Sequence, residues 1–192
     1  MRLKILLPAM PVVLLAAAPA YAHTGAHAVF SFSSGFLHPL GGIDHLLAMF
    51  AVGLLAAQLG GRALWLVPAA FVTVMLAGAV LGYAGVHLPG VEHVIALSLL
   101  AIALPAAFAL KMPASLAMIY VAVFAMFHGH AHGNELPEGG EFLTYVAGFA
   151  IATAIIHAAG IGFAFAAKGV SARVAAAAVG MAGIALLVAA SG

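Results

Sequence analysis

Six long apolar runs dominate the sequence and constrain what the chain can fold into. A bilayer core about 30 Å thick is crossed by roughly 20 helical residues, and each run is close to that length. The chain is 66% hydrophobic and only 6% charged, whereas a soluble domain carries about 25% charged residues. We therefore predict an all-α polytopic membrane protein with six transmembrane helices. The predicted spans cover residues 36–59, 63–84, 91–110, 114–132, 142–166 and 172–190.

Short connections separate these runs, and most of them contain glycine or proline, which favour turns. Helices joined by short loops are expected to be antiparallel neighbours. Small residues at helical spacing let the backbones of two membrane helices approach each other, and Gly78 and Gly82 form such a pair. The same packing role is predicted for Gly148, Ala152, Gly160, Gly162, Gly180 and Gly183.

The first 22 residues have the pattern of a secretory signal peptide. Arg2 and Lys4 supply a positive start, an apolar stretch follows, and residues 20–22 form a small-x-small cleavage site. The alternative is an uncleaved first helix, which the prolines and the short apolar core disfavour. Cleavage would leave a single membrane domain over residues 23–192, with its N-terminus outside the cytoplasm.

The basic residues indicate how the chain is oriented. Arg62, Lys111, Lys168 and Arg173 fall in the first, third and fifth connections. Because basic residues are enriched in cytoplasmic loops, we predict that these connections are cytoplasmic and that both mature termini are periplasmic. The acidic residues then gather at or near the outer ends of the spans: Asp44, Glu92, Glu135, Glu138 and Glu141.

Charge and cysteine content exclude several classes of function. A formal net charge of +1 leaves no basic patch for nucleic acid. Cysteine is absent, which excludes disulfides, thiolate metal sites and iron–sulfur ligation. Ten histidines accompany only five carboxylates, so a metal site would use imidazole, carboxylate, thioether, amide or backbone oxygen ligands.

The first span begins with a group of metal-ligand types, His38, Asp44, His45 and Met49. On a continuous helix turning about 100° per residue, His38, His45 and Met49 share one face and Asp44 points to its side. Imidazole and thioether suit nickel, cobalt, copper or zinc. Met49 alone is better explained as core packing. Ionisable groups at membrane depth are costly and typically mark ion pathways, so we predict that the group binds a metal ion.

A second group of residues of metal-ligand types lies at the end of the fourth predicted span. His128 and His132 are four residues apart and share one helical face, a common two-ligand arrangement for transition metals. Glu135 continues that face, or approaches from a loop if the helix ends at Gly133. His130 points the opposite way and is either a ligand or a polar group at the surface.

Four further residues are candidates for the site or its pathway, each with a structural alternative. A new N-terminus at His23 could chelate a metal or could be a flexible leader. Glu92 could bind a metal or proton, or could stabilise the start of the third span through the helix macrodipole, and His93 beside it is a weaker candidate. His157 lies about 20 Å from the outer surface at 1.5 Å per residue, where packing alone hardly explains an imidazole.

Taken together, two motifs resemble the signatures of the HupE/UreJ family of nickel and cobalt permeases. They are His38-Pro39-x4-Asp44-His45 and Phe127-His128-Gly129-x-Ala131-x-Gly133-x-Glu135. The resemblance implies a small permease of a bacterial inner membrane that supplies Ni²⁺, or in some members Co²⁺, for metalloenzyme or cobalamin assembly. His130 and His132 fall at variable positions of the pattern and rest on spacing alone. The residues that the resemblance assigns to the metal are His38, Asp44, His45, His128 and Glu135.

The expected activity is secondary transport, with the metal ion as substrate and no permanently bound cofactor. No Walker motif is present, so direct use of ATP is not expected. Proton coupling, facilitated diffusion, a homo-oligomer and a three-plus-three inverted repeat are all compatible with the sequence. Two other classes stay open: a membrane-embedded metal-dependent enzyme, although a His-Glu-x-x-His motif is lacking, and a metal-binding subunit of a larger complex.

Overall fold

Seven α-helices make up the part of the chain that the structure, a computed structural model, describes: residues 31–136, 141–167 and 169–190. These ranges contain no strand, so the predicted all-α class is confirmed for them. The predicted signal peptide and His23 lie outside the described residues. The helices are α1 Phe32–Gly41, α2 Ile43–Leu59, α3 Ala63–Tyr83, α4 Val91–Ala107, α5 Ala114–Asn134, α6 Phe142–Ala167 and α7 Gly169–Ala190.

Four of these helices, α3, α5, α6 and α7, are long and apolar enough to cross a membrane. The pair α1 and α2 passes the same test together but is bent by 86°, so the described residues give five spans if the pair counts as one. With 17 residues, α4 is an apolar helix below that length. The structure therefore supports a membrane protein, and the number of six spans stays a prediction.

The predicted first span is not one continuous helix, because the chain breaks at Gly42. The backbone of Gly42 is extended (φ −100°, ψ 113°), and an added Cβ would press against side chains in the first turn of α2. Pro39 lies inside α1 and contributes no N–H to the helix. The expectation that His38, His45 and Met49 share one helical face is therefore wrong, since His38 belongs to a different helix.

Glycines bring the backbones of α3 and α5 into direct contact. Gly78 and Gly82 on α3 face the α5 backbone, while Gly129 and Gly133 on α5 face the α3 backbone. At each of these positions an added Cβ would collide with a carbonyl group of the other helix. The predicted packing role of Gly78 and Gly82 is confirmed, and the two glycines of the histidine motif complete the same interface.

The other small residues that were expected to support helix packing divide into two groups. Gly148, Gly160 and Gly183 lie against the backbone of a neighbouring helix, and Ala152 is buried. Gly180 makes only ordinary side-chain contacts, and a Cβ on Gly162 would meet no atom within 4 Å. The packing role predicted for Gly162 is therefore wrong among the described residues.

Consecutive helices are not always neighbours. The most extensive contacts join α3 to α5, α4 to α7, and α6 to both α1 and α2. Within the described ranges the backbones of α3 and α4 do not come close to each other, and neither do those of α5 and α6. The last pair still meets through side chains, since the His132 and Phe149 ring centroids are 4.2 Å apart. The expectation that short connections make neighbours is therefore wrong for α3 and α4, because the glycines of α3 pack it against α5 instead.

The central helix is α2, which contacts each of the other six helices. Ala48, Met49 and Leu55 on α2 are completely buried. Large apolar side chains on the surrounding helices point outwards instead, as expected for a surface covered by lipid; Trp65 and Leu143 are 77% and 79% exposed. The site described next forms around the first turn of α2.

We expect Gly78→Ala to destabilise the protein, because its new Cβ would collide with the Met126 carbonyl of α5. Overpacking of this kind costs about 1–3 kcal/mol. Gly162→Ala is the matched control in α6, where space is open and alanine favours the helix by up to about 1 kcal/mol. Unfolding of both variants in mixed detergent micelles measures the difference. Equal stability would contradict the described contact between α3 and α5.

Candidate metal centre

The contact between α3 and α5 determines which side chains of α5 face the protein interior. Gly129 and Gly133 lie against α3, and the residue before each of them therefore points about 100° away around the helix. These residues are His128 and His132, which are 0% and 3% exposed. The predicted i, i+4 histidine pair thus lies inside the protein.

The break between α1 and α2 places two further imidazoles beside this pair. The His132 ring centroid lies 4.6 Å from that of His38 on α1 and 4.3 Å from that of His45 on α2. The ring centroids of His45 and His128 are 4.8 Å apart. We call His38, His45, His128 and His132 the histidine cluster; it is built by three helices.

Glu135 lies at one edge of the histidine cluster, directly after the end of α5. Its Oε2 atom is 3.4 Å from His38 Nε2. One ligand atom from each of His38, His132 and Glu135 lies within 4.8 Å of the other two. Metal–ligand bonds of about 2.0–2.2 Å require ligand atoms roughly 3–4 Å apart, so a modest side-chain movement would let these three hold one ion.

Asp44 interacts with His45, its neighbour in the chain. Asp44 Oδ1 accepts hydrogen bonds from the His45 backbone N–H at 2.8 Å and from His45 Nδ1 at 3.0 Å. A carboxylate only accepts, so His45 Nδ1 carries a proton, and in the neutral imidazole Nε2 then bears the lone pair. In the structure Asp44 therefore orients an imidazole, as carboxylates that accept a hydrogen bond from a metal-binding histidine do.

Most of the buried polar atoms without a hydrogen-bond partner belong to histidines. Among the described residues eight such side-chain atoms occur, and seven of them are imidazole nitrogens. Leaving a buried polar group unsatisfied costs about 1–3 kcal/mol. A neutral imidazole has one lone pair, and the lone pairs of His45, His128 and His132 are close enough together to suit a cation. The seven atoms are His45 Nε2, His128 Nδ1, His130 Nδ1 and both ring nitrogens of His132 and His157.

Deeper in the protein, His157 on α6 is 1% exposed and is connected to the cluster through Phe71. The Phe71 ring centroid is 5.2 Å from His157 and 5.8 Å from His128. Met49 lies in the same region, where its sulfur is 3.4 Å from the Thr153 hydroxyl that donates to it. The structure thus places both predicted pathway residues deeper in the protein than the cluster.

The remaining candidates lie away from the histidine cluster. His130 faces the opposite side of α5, as expected, and its Nε2 donates to the Val86 carbonyl at 2.5 Å. It lines a pocket of about 330 Å³ together with Glu92 and Glu135. His93 is exposed at the start of α4 and does not line this pocket. Glu135 belongs both to the pocket and to the edge of the cluster.

Several residues around the site were not singled out from the sequence. Ser98 on α4 is completely buried, and its hydroxyl oxygen lies 2.8 Å from His128 Nε2. Tyr145 is buried beside His38, with ring centroids 5.9 Å apart. A hydroxyl within an apolar span is the signal that would have identified Ser98, because a polar group at that depth needs a partner.

We expect His132→Leu to stabilise the metal-free protein while weakening metal binding. The change removes two unpartnered buried nitrogens, a gain of about 1–3 kcal/mol, and it also removes a predicted ligand. The exposed His93→Leu is the control and should change neither property. Thermal unfolding in detergent, with and without Ni²⁺, measures both effects. A destabilised metal-free His132→Leu protein would show that the imidazole serves packing.

One family model and one curated relative show what this chain is similar to. The family described as HupE / UreJ protein matches residues 11–189. The chain is also 51% identical over 173 residues to "Protein HupE" of Rhizobium leguminosarum bv. viciae, covering 88% of this chain and 90% of that relative. No solved structure matches the chain. The family match covers nearly the whole chain, and the protein therefore belongs to the HupE/UreJ family.

Proposed function

We propose that this protein is a secondary transporter that takes up Ni²⁺, with Co²⁺ as the next candidate, across the inner membrane of a bacterium. The observation that carries the proposal is the convergence of four imidazoles beside the Glu135 carboxylate: His128 and His132 are buried, and His38 and His45 are partly buried. Three of the four have buried nitrogens without a hydrogen-bond partner among the described residues. Membership of the HupE/UreJ family supports the same function. The ion is cargo for metalloenzyme or cobalamin assembly, and the protein acts as a carrier and not as an enzyme.

The ligand chemistry of the site favours borderline transition metals. Imidazole suits zinc, copper, iron and nickel, whereas sites made only of oxygen suit magnesium or calcium. The chain has no thiolate to bias the site towards softer ions. Nickel and cobalt both accept imidazole and carboxylate, so the ranking between them follows from the family and not from the ligand types.

The proposed path runs from Glu135 inwards. A hydrated cation in the pocket beside Glu135 meets a carboxylate that also contacts His38. It then exchanges water for imidazole in the histidine cluster, where Asp44 orients His45. Met49 and His157 provide the next binding positions along the path, because they lie deeper in the protein than the cluster and offer a thioether and an imidazole.

The same ligands would allow transport to be coupled to protons, and they would serve facilitated diffusion equally well. Imidazole binds a metal only in its neutral form, and carboxylate only in its ionised form, so metal ions and protons compete. A proton gradient that acidifies the outer face would then affect loading and release differently on the two sides. A protonophore distinguishes the two modes, because it stops coupled uptake and spares facilitated diffusion.

We expect His45→Ala and His128→Ala to reduce uptake of radioactive Ni²⁺ by at least about tenfold, since loss of even a supporting partner of a metal ligand costs 10–100-fold. The measurement uses cells that express each variant at equal level in the membrane, with Co²⁺ and Zn²⁺ as competitors. His93→Ala is the matched control, because this imidazole is exposed and lies outside the cluster.

Two results would contradict the transport proposal. If cells that express the wild-type protein take up no more Ni²⁺ than cells without it, the protein is not a nickel transporter. Equal uptake by wild type, His45→Ala and His128→Ala would show that transport does not require the histidine cluster. Inhibition by Co²⁺ at lower concentration than by Ni²⁺ itself would instead make cobalt the preferred substrate.

The proposed orientation places both mature termini and the Glu135 end of the protein in the periplasm. It is supported by Arg62 and Lys111 in the first and third connections and by Arg173 near the start of α7. In this orientation the pocket beside Glu135 opens towards the compartment from which the ion arrives.

We expect a membrane-impermeant maleimide to label Glu141→Cys but not Lys111→Cys in intact cells. Both positions are exposed in the structure, and the chain has no cysteine of its own, so each variant carries a single thiol and the wild type is the blank. Labelling of both variants after cell lysis is the control. Labelling of Lys111→Cys alone in intact cells would reverse the orientation.

A further inference from the structure

Ser98 forms two hydrogen bonds inside the protein that together determine where one proton of His128 lies. Its Oγ atom is 2.6 Å from the Ile95 carbonyl and 2.8 Å from His128 Nε2. Ser98 and His128 are both completely buried. Two oxygen acceptors at 2.6 Å would repel each other unless a proton lay between them, so the hydroxyl donates its proton to the Ile95 carbonyl.

A hydroxyl has one proton to give, and its donation to Ile95 decides the second bond. Ser98 Oγ can only accept from His128, so His128 Nε2 carries a hydrogen. In a neutral imidazole the other nitrogen, Nδ1, then bears the lone pair. His128 Nδ1 is buried and has no hydrogen-bond partner among the described residues.

In the neighbouring ring of His45 the other nitrogen is the one that is hydrogen-bonded. There Asp44 accepts from Nδ1 and leaves Nε2 unpartnered. The two rings are 4.8 Å apart, and each has one nitrogen held by a second residue and one left with its lone pair. Asp44 is part of the recognised motif, whereas Ser98 lies on α4, outside both motifs.

We propose that Ser98 is a positioning residue of the metal site: it holds His128 with Nε2 protonated, so that Nδ1 is the atom offered to the metal ion. The inference rests on the proposed function in that His128 binds the cargo. A residue that accepts a hydrogen bond from a metal-binding histidine orients the ring and determines its tautomer, and its loss typically lowers metal affinity about 10–100-fold.

The first test examines the tautomer in the metal-free protein and does not depend on transport. The full chain is labelled with ¹⁵N-histidine and purified in detergent, and the His128 ring signals are assigned by their absence in His128→Gln. We expect a protonated Nε2 and an unprotonated Nδ1 in the wild type, and a shift towards protonated Nδ1 in Ser98→Ala. A wild-type ring protonated at Nδ1, or no change in Ser98→Ala, would overturn the inference.

The second test measures the affinity of the same preparations for Ni²⁺ by calorimetry. Ser98→Ala should bind 10–100-fold more weakly, and Ser98→Thr should recover most of this loss because it restores the hydroxyl. Tyr120→Phe is the matched control, since its hydroxyl also donates to a carbonyl of α4, that of Ala101, away from the cluster. It should bind like the wild type.

A double variant shows whether Ser98 acts through His128. If it does, Ser98→Ala combined with His128→Ala should bind no more weakly than His128→Ala alone, because coupled residues are not additive. Fully additive losses would overturn the inference. If His128→Ala binds Ni²⁺ like the wild type, the proposed metal role of His128 fails; if His128→Ala is weak and Ser98→Ala is not, only the role of Ser98 fails.

Discussion

The direct contact between the backbones of α3 and α5 is the constraint on which the candidate site depends. Four glycines remove the Cβ atoms that would otherwise collide with carbonyl groups of the facing helix. Lipid offers membrane helices little hydrophobic incentive to associate, so close packing of this kind is a main source of their association. It also fixes the rotation of α5. The histidines at positions 128, 130 and 132 alternate with the small residues at 129, 131 and 133. The contact that joins the helices therefore turns His128 and His132 towards the cluster and His130 towards the opposite side of α5, where it meets the Val86 carbonyl.

The break at Gly42 provides the other half of the site. A continuous helix would keep His38 and His45 on one face, two turns apart, and would bring only part of the motif to α5. The 86° bend lets α1 cross beside α6 while α2 enters the centre of the protein, so His38 and His45 approach His132 from different directions. Broken helices of this type are recurrent in transporters, where irregular backbone is tolerated because it lies within protein. The site is thus assembled from three helix ends and the buried hydroxyl of Ser98.

Features of the fold and the site that depend on residues close together in the sequence could be predicted, and features that depend on distant residues could not. The apolar runs predicted α-helices with good boundaries, as the expected span 142–166 and the observed α6, Phe142–Ala167, illustrate. The sequence motifs singled out His38, His45 and His128, and the i, i+4 spacing added His132, because ionisable residues in an apolar sequence are conspicuous. The break at Gly42 was missed, since Pro39, Gly41 and Gly42 are also compatible with a gently bent helix. Helix partners and the contact of Ser98 with His128 could not be predicted, because both depend on residues 30 or more positions apart and on the rotation of each helix.

The helix ends at the site have an electrostatic consequence of their own. His38 lies in the last turn of α1 and His132 in the last turn of α5, so the carbonyl ends of two helices are directed towards the cluster. Each helix C-terminus carries a partial charge of roughly −0.5. The opposing N-terminus of α2 carries Asp44 in its first turn, which offsets its positive end. The backbone therefore contributes a negative potential that does not titrate, and it would attract a divalent cation at a pH where some of the imidazoles are already protonated.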